Sequence, residues 1–131
     1  MILVDSNTWA DHFNGRPTPH VERLDSALQA QEDLTVIPII ITEVLQGFRT
    51  DHGFRQARDV LVALPVLRPS VQCHVRAAKL FRSLRRKGIT VRGAVDCVIA
   101  QIAIDSDATL LSPDADFERI AEHTKLRLWR P

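Results

Sequence analysis

Short apolar segments that do not alternate with polar residues recur along the chain, and they constrain the fold more than any other feature. They lie at residues 2–4, 34–37, 66–67, 109–112 and 126–129. A strand that is apolar on both faces has to be covered on both faces, which is typical of parallel sheets. The segments between them carry apolar residues at helical spacing, at residues 8–13, 19–31, 38–48, 54–64, 70–87, 93–105 and 116–123. The pattern predicts an α/β fold with a central parallel sheet of about four to five short strands flanked by helices.

Several local signals predict where these helices begin, end and face the core. Ser6 and Ser70 precede apolar-periodic segments and are predicted N-caps, and Gly88 is predicted to end the long helix. In the helix over 93–105 the spacing predicts that Val95, Val98, Ile99 and Ile102 point inward.

Length and composition limit the classes of protein to consider. The 131 residues fit one domain over 1–131, and 17 Lys plus Arg against 16 Asp plus Glu provide no general argument for a polyanionic partner. Cys73 and Cys97 lack the spacing of a zinc site, and the N-terminus lacks a signal-peptide pattern. The longest apolar run, 36–41, is interrupted by Pro38 and is too short to span a bilayer. We therefore expect a cytoplasmic protein without membrane partners.

Carboxylates stand beside four of the predicted core segments. Asp5 directly follows the first strand, Asp114 and Asp116 follow the strand at 109–112, and Glu43 and Asp96 lie near the starts of helices. The carboxyl ends of parallel strands are where open α/β sheets place their sites, so these acids are predicted to converge there. Because a charge beside the core costs several kcal/mol unless it is paired, the convergence predicts a bound divalent cation.

Each acid has an ordinary explanation when it is considered alone. An Asp after a strand is most often a turn former or a helix cap, and a helix N-terminus favours acids such as Glu43 and Asp96. Independent acids of this kind would have no reason to lie at one edge of the sheet. The combination therefore favours a shared site.

Four segments together resemble a known family. They read ILVDSNTW at 2–9, ITEVLQG at 41–47, VDCVIA at 95–100 and LLSPDADF at 110–117. In this order and at these separations the chain resembles, over its full length, the PIN-domain ribonucleases and among them the VapC-type toxins of bacterial toxin–antitoxin pairs. The resemblance implies a single PIN domain. The usual pattern has Ser where this chain has Asn7, which retains hydrogen-bonding ability.

The resemblance assigns the acids to a Mg²⁺ or Mn²⁺ site, and hard oxygen ligands suit those ions. Glu43 either orients the nucleophilic water or holds a second ion. The expected catalytic residues are Asp5, Glu43, Asp96 and Asp114; the expected metal ligands are Asp5, Asp96, Asp114 and, directly or through water, Asp116; the residues expected to orient them are Ser6, Asn7 and Ser112.

Basic residues follow helical spacing in the segment 70–87 and surround its end. A solvated helix face is the ordinary explanation, whereas the neighbouring acidic site favours binding of an RNA backbone. The candidates for RNA binding are Arg76, Lys79, Arg82, Arg86 and Arg92, with Arg85 and Lys87 close by.

By the same resemblance, the expected activity is metal-dependent hydrolysis of RNA phosphodiester bonds. The protein is expected to be a toxin that inhibits translation by cleaving a structured RNA such as tRNA or rRNA, and a homodimer bound by a VapB-like antitoxin. One alternative is a phosphohydrolase of the haloacid-dehalogenase type, but Asn7 stands where such enzymes carry a second Asp. Another is a non-catalytic PIN domain that only binds RNA or a partner, but none of the acids is lost.

Overall fold

The computed structural model describes residues 1–131 and contains four strands and seven helices. The strands are β1 (Ile2–Val4), β2 (Leu34–Thr35), β3 (Thr109–Leu111) and β4 (Arg127–Leu128). The helices are α1 (Ser6–Phe13), α2 (Pro19–Gln29), α3 (Pro38–Leu45), α4 (Asp51–Val62), α5 (Val71–Arg86), α6 (Ala94–Asp105) and α7 (Ala115–Glu122). The strands form one parallel sheet in the order β2-β1-β3-β4. The predicted α/β fold with a parallel sheet is confirmed.

The two central strands explain why the strand segments read as uninterrupted apolar runs. Leu3 and Val4 in β1 and Leu110 and Leu111 in β3 are fully buried. Neighbouring residues of a strand point to opposite faces, so burial of both members of each pair shows that both faces of the sheet are covered. None of the seven helices is both long enough and apolar enough to cross a membrane.

The predicted strand at 66–67 is reduced to a single bridge. Val66 pairs in parallel with Val36, and the Leu67 N–H donates to the Val36 carbonyl at 2.8 Å. Pro65 and Pro69 flank this stretch, and a proline has no N–H to donate to a ladder. The bridge therefore does not extend into a fifth strand.

Most of the local signals about helix ends and inward faces agree with the structure, and two do not. Ser70 caps α5 by accepting from the Cys73 N–H at 3.1 Å, and Gly88 follows the helix with φ +76°, as predicted. The prediction that Ser6 caps α1 is wrong, because the Asp5 carboxylate is the cap and accepts from the Ser6 N–H at 2.8 Å. The prediction that Val95 points inward is also wrong: its side chain is 43% exposed at the start of α6.

Candidate active site

An open cleft lies at the carboxyl edge of the sheet and has a volume of about 340 Å³. Four different parts of the fold supply its acids: the end of β1, helix α3, the first turn of α6 and the loop after β3. The residues that line it are Asp5, Ser6, Asn7, Glu43, Arg92, Gly93, Val95, Asp96 and Asp114. The structure thus brings together, on the lining of one cleft, four of the five acids that the sequence predicted to converge. Their roles in catalysis and metal binding stay predictions.

Asp5 is nearly buried in the cleft, and the protein donates a hydrogen bond to each of its carboxylate oxygens. Its Oδ1 accepts from the Ser6 N–H at 2.8 Å, and its Oδ2 accepts from the buried Ser112 hydroxyl at 2.9 Å. The Ser112 Oγ also accepts from the Asp114 N–H at 3.2 Å, so one serine links the ends of β1 and β3. Burial raises the pKa of Asp5 despite these hydrogen bonds. Ser112 therefore contacts both Asp5 and Asp114, and its role in orienting the acids stays a prediction.

Glu43 reaches the cleft from the middle of α3. Its Oε1 is buried and has no hydrogen-bond partner among the protein atoms. Burial, and then the charge of Asp5, raises the pKa of Glu43. A buried carboxylate oxygen without a partner costs free energy, so this atom is available to a cation or a water molecule in the cleft.

The most compact group of acids contains Asp96, Asp114 and Asp116. One oxygen from each lies within 4.8 Å of the others, a spacing that suits a shared metal ion. Burial, the hydrogen bond with Asp116 and the charges of Asp114 and Asp5 raise the pKa of Asp96 to about 7. Asp5 lines the same cleft but does not belong to this compact group.

Asp116 lies beneath the cleft and is only 2% exposed. Burial alone would raise its pKa, but hydrogen bonds from the Arg92 N–H, the Arg92 side chain and Arg119 outweigh burial and lower it. The Arg92 N–H and Nε donate to Asp116 Oδ2 at 3.1 and 3.3 Å, and Arg119 pairs with the other oxygen. Asp116 is therefore ionised and already neutralised by the protein.

Two arginines belong to the acidic site. Arg92 was expected to contact RNA, yet its Nη2 donates to Asp114 Oδ2 at 2.6 Å inside the cleft. Arg119 was not predicted as a site residue. Its spacing of three residues from Asp116 on α7 was the available signal, since such pairs lie side by side on a helix.

The other basic candidates lie outside the cleft. Arg76 pairs with Asp105 on α6, and Lys79, Arg82 and Arg86 are exposed on the surface of α5 without an ion pair. The binding of an RNA backbone by these residues of α5 stays a prediction.

The donor atoms of the cleft match a hard divalent cation. They are carboxylate oxygens, which Mg²⁺ and Mn²⁺ prefer, with no thiolate or imidazole among them. Arg92 and Arg119 contact only Asp114 and Asp116, so Asp5, Glu43 and Asp96 have no cationic partner. Uncompensated acids in one partly buried cleft are the condition under which a bound cation is most stabilising.

Comparison with known proteins places the chain in a family. The family model for the PIN domain matches residues 2–123. The chain is 33% identical over 131 residues to the VapC ribonuclease Mb1587 of Mycobacterium bovis and equally to the ribonuclease VapC11 of Mycobacterium tuberculosis. Each alignment covers 97% of this chain and 96% of the relative.

Solved structures share the fold at lower sequence identity. VapBC2 from Rickettsia felis, solved bound to a DNA fragment from its promoter, has a TM-score of 0.78 at 22% identity, and 98% of each chain is covered. VapC20 of Mycobacterium tuberculosis, described as a toxin that cleaves the sarcin-ricin loop, has a TM-score of 0.70 at 15% identity, with 97% of this chain and 99% of that chain covered. The chain belongs to the PIN-domain family and, within it, to the VapC ribonucleases.

Proposed function

We propose that this protein is a ribonuclease that uses Mg²⁺ or Mn²⁺ to hydrolyse RNA phosphodiester bonds, and that it is the toxin of a toxin–antitoxin pair. The observation that carries the proposal is the convergence of Asp5, Glu43, Asp96 and Asp114 in one solvent-open cleft. Relatives at 33% identity over nearly the whole chain are named ribonucleases, which supports the same reaction class. We propose that the toxin inhibits translation by cleaving a structured RNA such as tRNA or rRNA.

In this proposal Asp5, Asp96 and Asp114 hold the ion, with Asp116 as a further ligand directly or through water. Ser112 holds Asp5 through a hydrogen bond to its Oδ2, and Ser6 and Asn7 line the cleft together with Asp5. When bound, the metal polarises the scissile phosphate and lowers the pKa of the attacking water.

We infer that Glu43 orients the nucleophilic water. Its Oε1 has no protein partner, so it is free to accept a hydrogen bond from a water molecule in the cleft. A carboxylate placed in this way takes up the proton as the water oxygen bonds to phosphorus, while the P–O bond to the departing ribose oxygen breaks and that oxygen takes a proton from solvent. We assign this role to Glu43 rather than a place among the metal ligands, because its Oε1 is unpartnered whereas both oxygens of Asp5 already accept hydrogen bonds from the protein.

We expect two protein partners, an antitoxin and a second copy of this chain. Several structural neighbours are VapBC complexes, which supports a VapB-like antitoxin as partner. An apolar groove lined in part by Ile39, Val95 and Val98 adjoins the cleft through Val95. We propose that the antitoxin's C-terminal segment lies across this groove and places a basic side chain against the carboxylates, and that the toxin itself is a homodimer.

Two alternative functions were open at the level of sequence. Membership of the PIN-domain family excludes the haloacid-dehalogenase type. A PIN domain that binds RNA without cutting it remains the competing hypothesis, and a cleavage assay distinguishes the two.

The test is cleavage of total tRNA and ribosomes by purified protein in Mg²⁺, in Mn²⁺ and in excess EDTA. Glu43→Gln keeps the side chain's size and removes its basicity, so we expect cleavage to fall by about 10²–10⁴-fold. Glu122→Gln is the matched control, because Glu122 is exposed at the end of α7, away from the cleft, and should cut like wild type.

Equal cleavage in EDTA, or full activity of Glu43→Gln, would contradict the proposed mechanism. No cleavage by wild type under any condition would favour the non-catalytic alternative. Sequencing of RNA 5′ ends after brief induction would identify the substrate.

A further inference from the structure

Arg92 is the only cation that lines the cleft, and it contacts two of the three most closely spaced acids. Its Nη2 donates to Asp114 Oδ2 at 2.6 Å and its Nε to Asp116 Oδ2 at 3.3 Å. One planar guanidinium thus bridges two carboxylates, a geometry for which arginine is suited and lysine is not. The guanidinium therefore contacts two of the three carboxylates that a divalent cation shared by Asp96, Asp114 and Asp116 would need.

The backbone and the side chain of Arg92 are held differently. The backbone N–H donates to Asp116, which is buried, at 3.1 Å and anchors the residue in the segment between α5 and α6. The side chain is 77% exposed and is held from the solvent side by the two carboxylates alone. The side chain can therefore leave the acids without disturbing the backbone contact.

We propose that Arg92 is an internal counter-ion that the metal displaces: its guanidinium neutralises Asp114 and Asp116 in the metal-free protein and moves to the RNA phosphates when the cation binds. This inference rests on the proposed function, since it assigns a role to Arg92 within the same site. A dication and a guanidinium that share two carboxylates repel each other, so occupancy by one disfavours the other. Once released at the edge of the cleft, the guanidinium is placed to bind the phosphate that the metal attracts.

The first measurement is Mn²⁺ affinity by titration calorimetry on the pure protein, without RNA. Arg92→Gln removes the competing charge, so we expect the Kd for Mn²⁺ to fall by about tenfold, a typical size for coupling between two ligands. Arg92→Lys keeps the positive charge but cannot bridge both carboxylates as a guanidinium does. Its Kd for Mn²⁺ should lie between those of wild type and Arg92→Gln. Arg130→Gln is the matched control, since Arg130 pairs with Glu118 outside the cleft and should bind Mn²⁺ like wild type.

The second measurement is binding of a fluorescent RNA hairpin in the Glu43→Gln background, with EDTA and with saturating Mn²⁺. Loss of one phosphate contact from Arg92→Gln should weaken RNA binding by about fivefold in Mn²⁺ and leave it nearly unchanged in EDTA. If Arg92→Gln lost the same RNA affinity in EDTA as in Mn²⁺, Arg92 would contact RNA whether or not metal is bound. That result would refute the proposal that metal displaces Arg92 from the acids.

An unchanged or weaker Mn²⁺ affinity of Arg92→Gln would overturn the counter-ion role, because it would mean that Arg92 does not compete with metal. Arg119→Gln also removes one positive charge from the site, but Arg119 contacts Asp116 and not Asp114. If it tightened Mn²⁺ binding as much as Arg92→Gln, net charge alone would explain the gain and the proposal would fail. Absence of Mn²⁺ binding by wild type would instead refute the proposed function. Arg92→Lys keeps the test available if Arg92→Gln does not fold.

Discussion

Replacing Asp96 by Asn separates the contribution of this acid to folding from its contribution to the cleft. Asn has nearly the same size and cannot carry a negative charge. Asp96 shares a partly buried site with Asp5, Asp114 and Asp116, and no arginine contacts it. We therefore expect Asp96→Asn to stabilise the metal-free fold at pH 8 while it weakens metal binding and cleavage.

The size of the effect follows from the pKa of Asp96, which burial and the neighbouring acids raise from 3.8 to about 7. A difference of this size corresponds to about 4 kcal/mol, and solvent around the half-buried carboxylate reduces it to about 1–2 kcal/mol. The folded-state pKa lies above the unfolded-state value, so the stabilising contribution of protonated Asp96 is present below 3.8 and is lost as the pH rises through about 7. The advantage of Asp96→Asn should therefore grow between pH 4 and pH 8.

The assay is thermal melting in EDTA and in Mn²⁺ across this pH range. For a domain of this size, about 1–2 kcal/mol raises Tm by about 4–7 °C. Saturating Mn²⁺ at 100 times Kd should stabilise wild type by about 2.7 kcal/mol and Asp96→Asn by much less. Asp105→Asn is the matched control on the same helix: the hydrogen bond from Arg76 lowers the pKa of Asp105, so its replacement should lower Tm at pH 8 without altering the response to Mn²⁺.

A metal-free Tm for Asp96→Asn at or below that of wild type at pH 8 would refute the argument that the acids repel one another. Full cleavage together with a full Mn²⁺-induced rise in Tm would remove Asp96 from the metal site.

Three further predictions concern other parts of the molecule. Ser112→Ala deprives the buried Asp5 Oδ2 of its donor, so chemical denaturation in EDTA should show a loss of about 1–3 kcal/mol and cleavage should fall; an unchanged midpoint would mean that Asp5 does not need this bond. Arg82→Ala with Arg86→Ala should reduce the slope of log K for RNA against log salt by about one for each lost phosphate contact, and an unchanged slope would identify them as ordinary solvated side chains. Ser70→Ala removes the cap of α5 and should cost about 1 kcal/mol in thermal melts with cleavage unaltered, and a loss of cleavage would show that α5 also shapes the site.

The sequence alone predicted the features that depend on near neighbours or on strand direction. The cap at Ser70 and the helix end at Gly88 follow from interactions within one turn of the chain. The shared position of Asp5 and Asp114 follows from two apolar strands that are each followed within three residues by an acid, because parallel strands end at the same edge of a sheet. The same reasoning brought Glu43 and Asp96 to that edge.

Only the tertiary structure decided which atoms meet within the site. The cap of α1 depends on whether Asp5 or Ser6 has extended backbone at the end of β1, and the exposure of Val95 depends on the open cleft in front of α6. Arg92 lies 22 residues from Asp114 and 24 from Asp116, and no local periodicity relates them. Their ion pair exists because the segment between α5 and α6 lies against the start of α7, and long-range proximity of this kind is set by packing of the whole core.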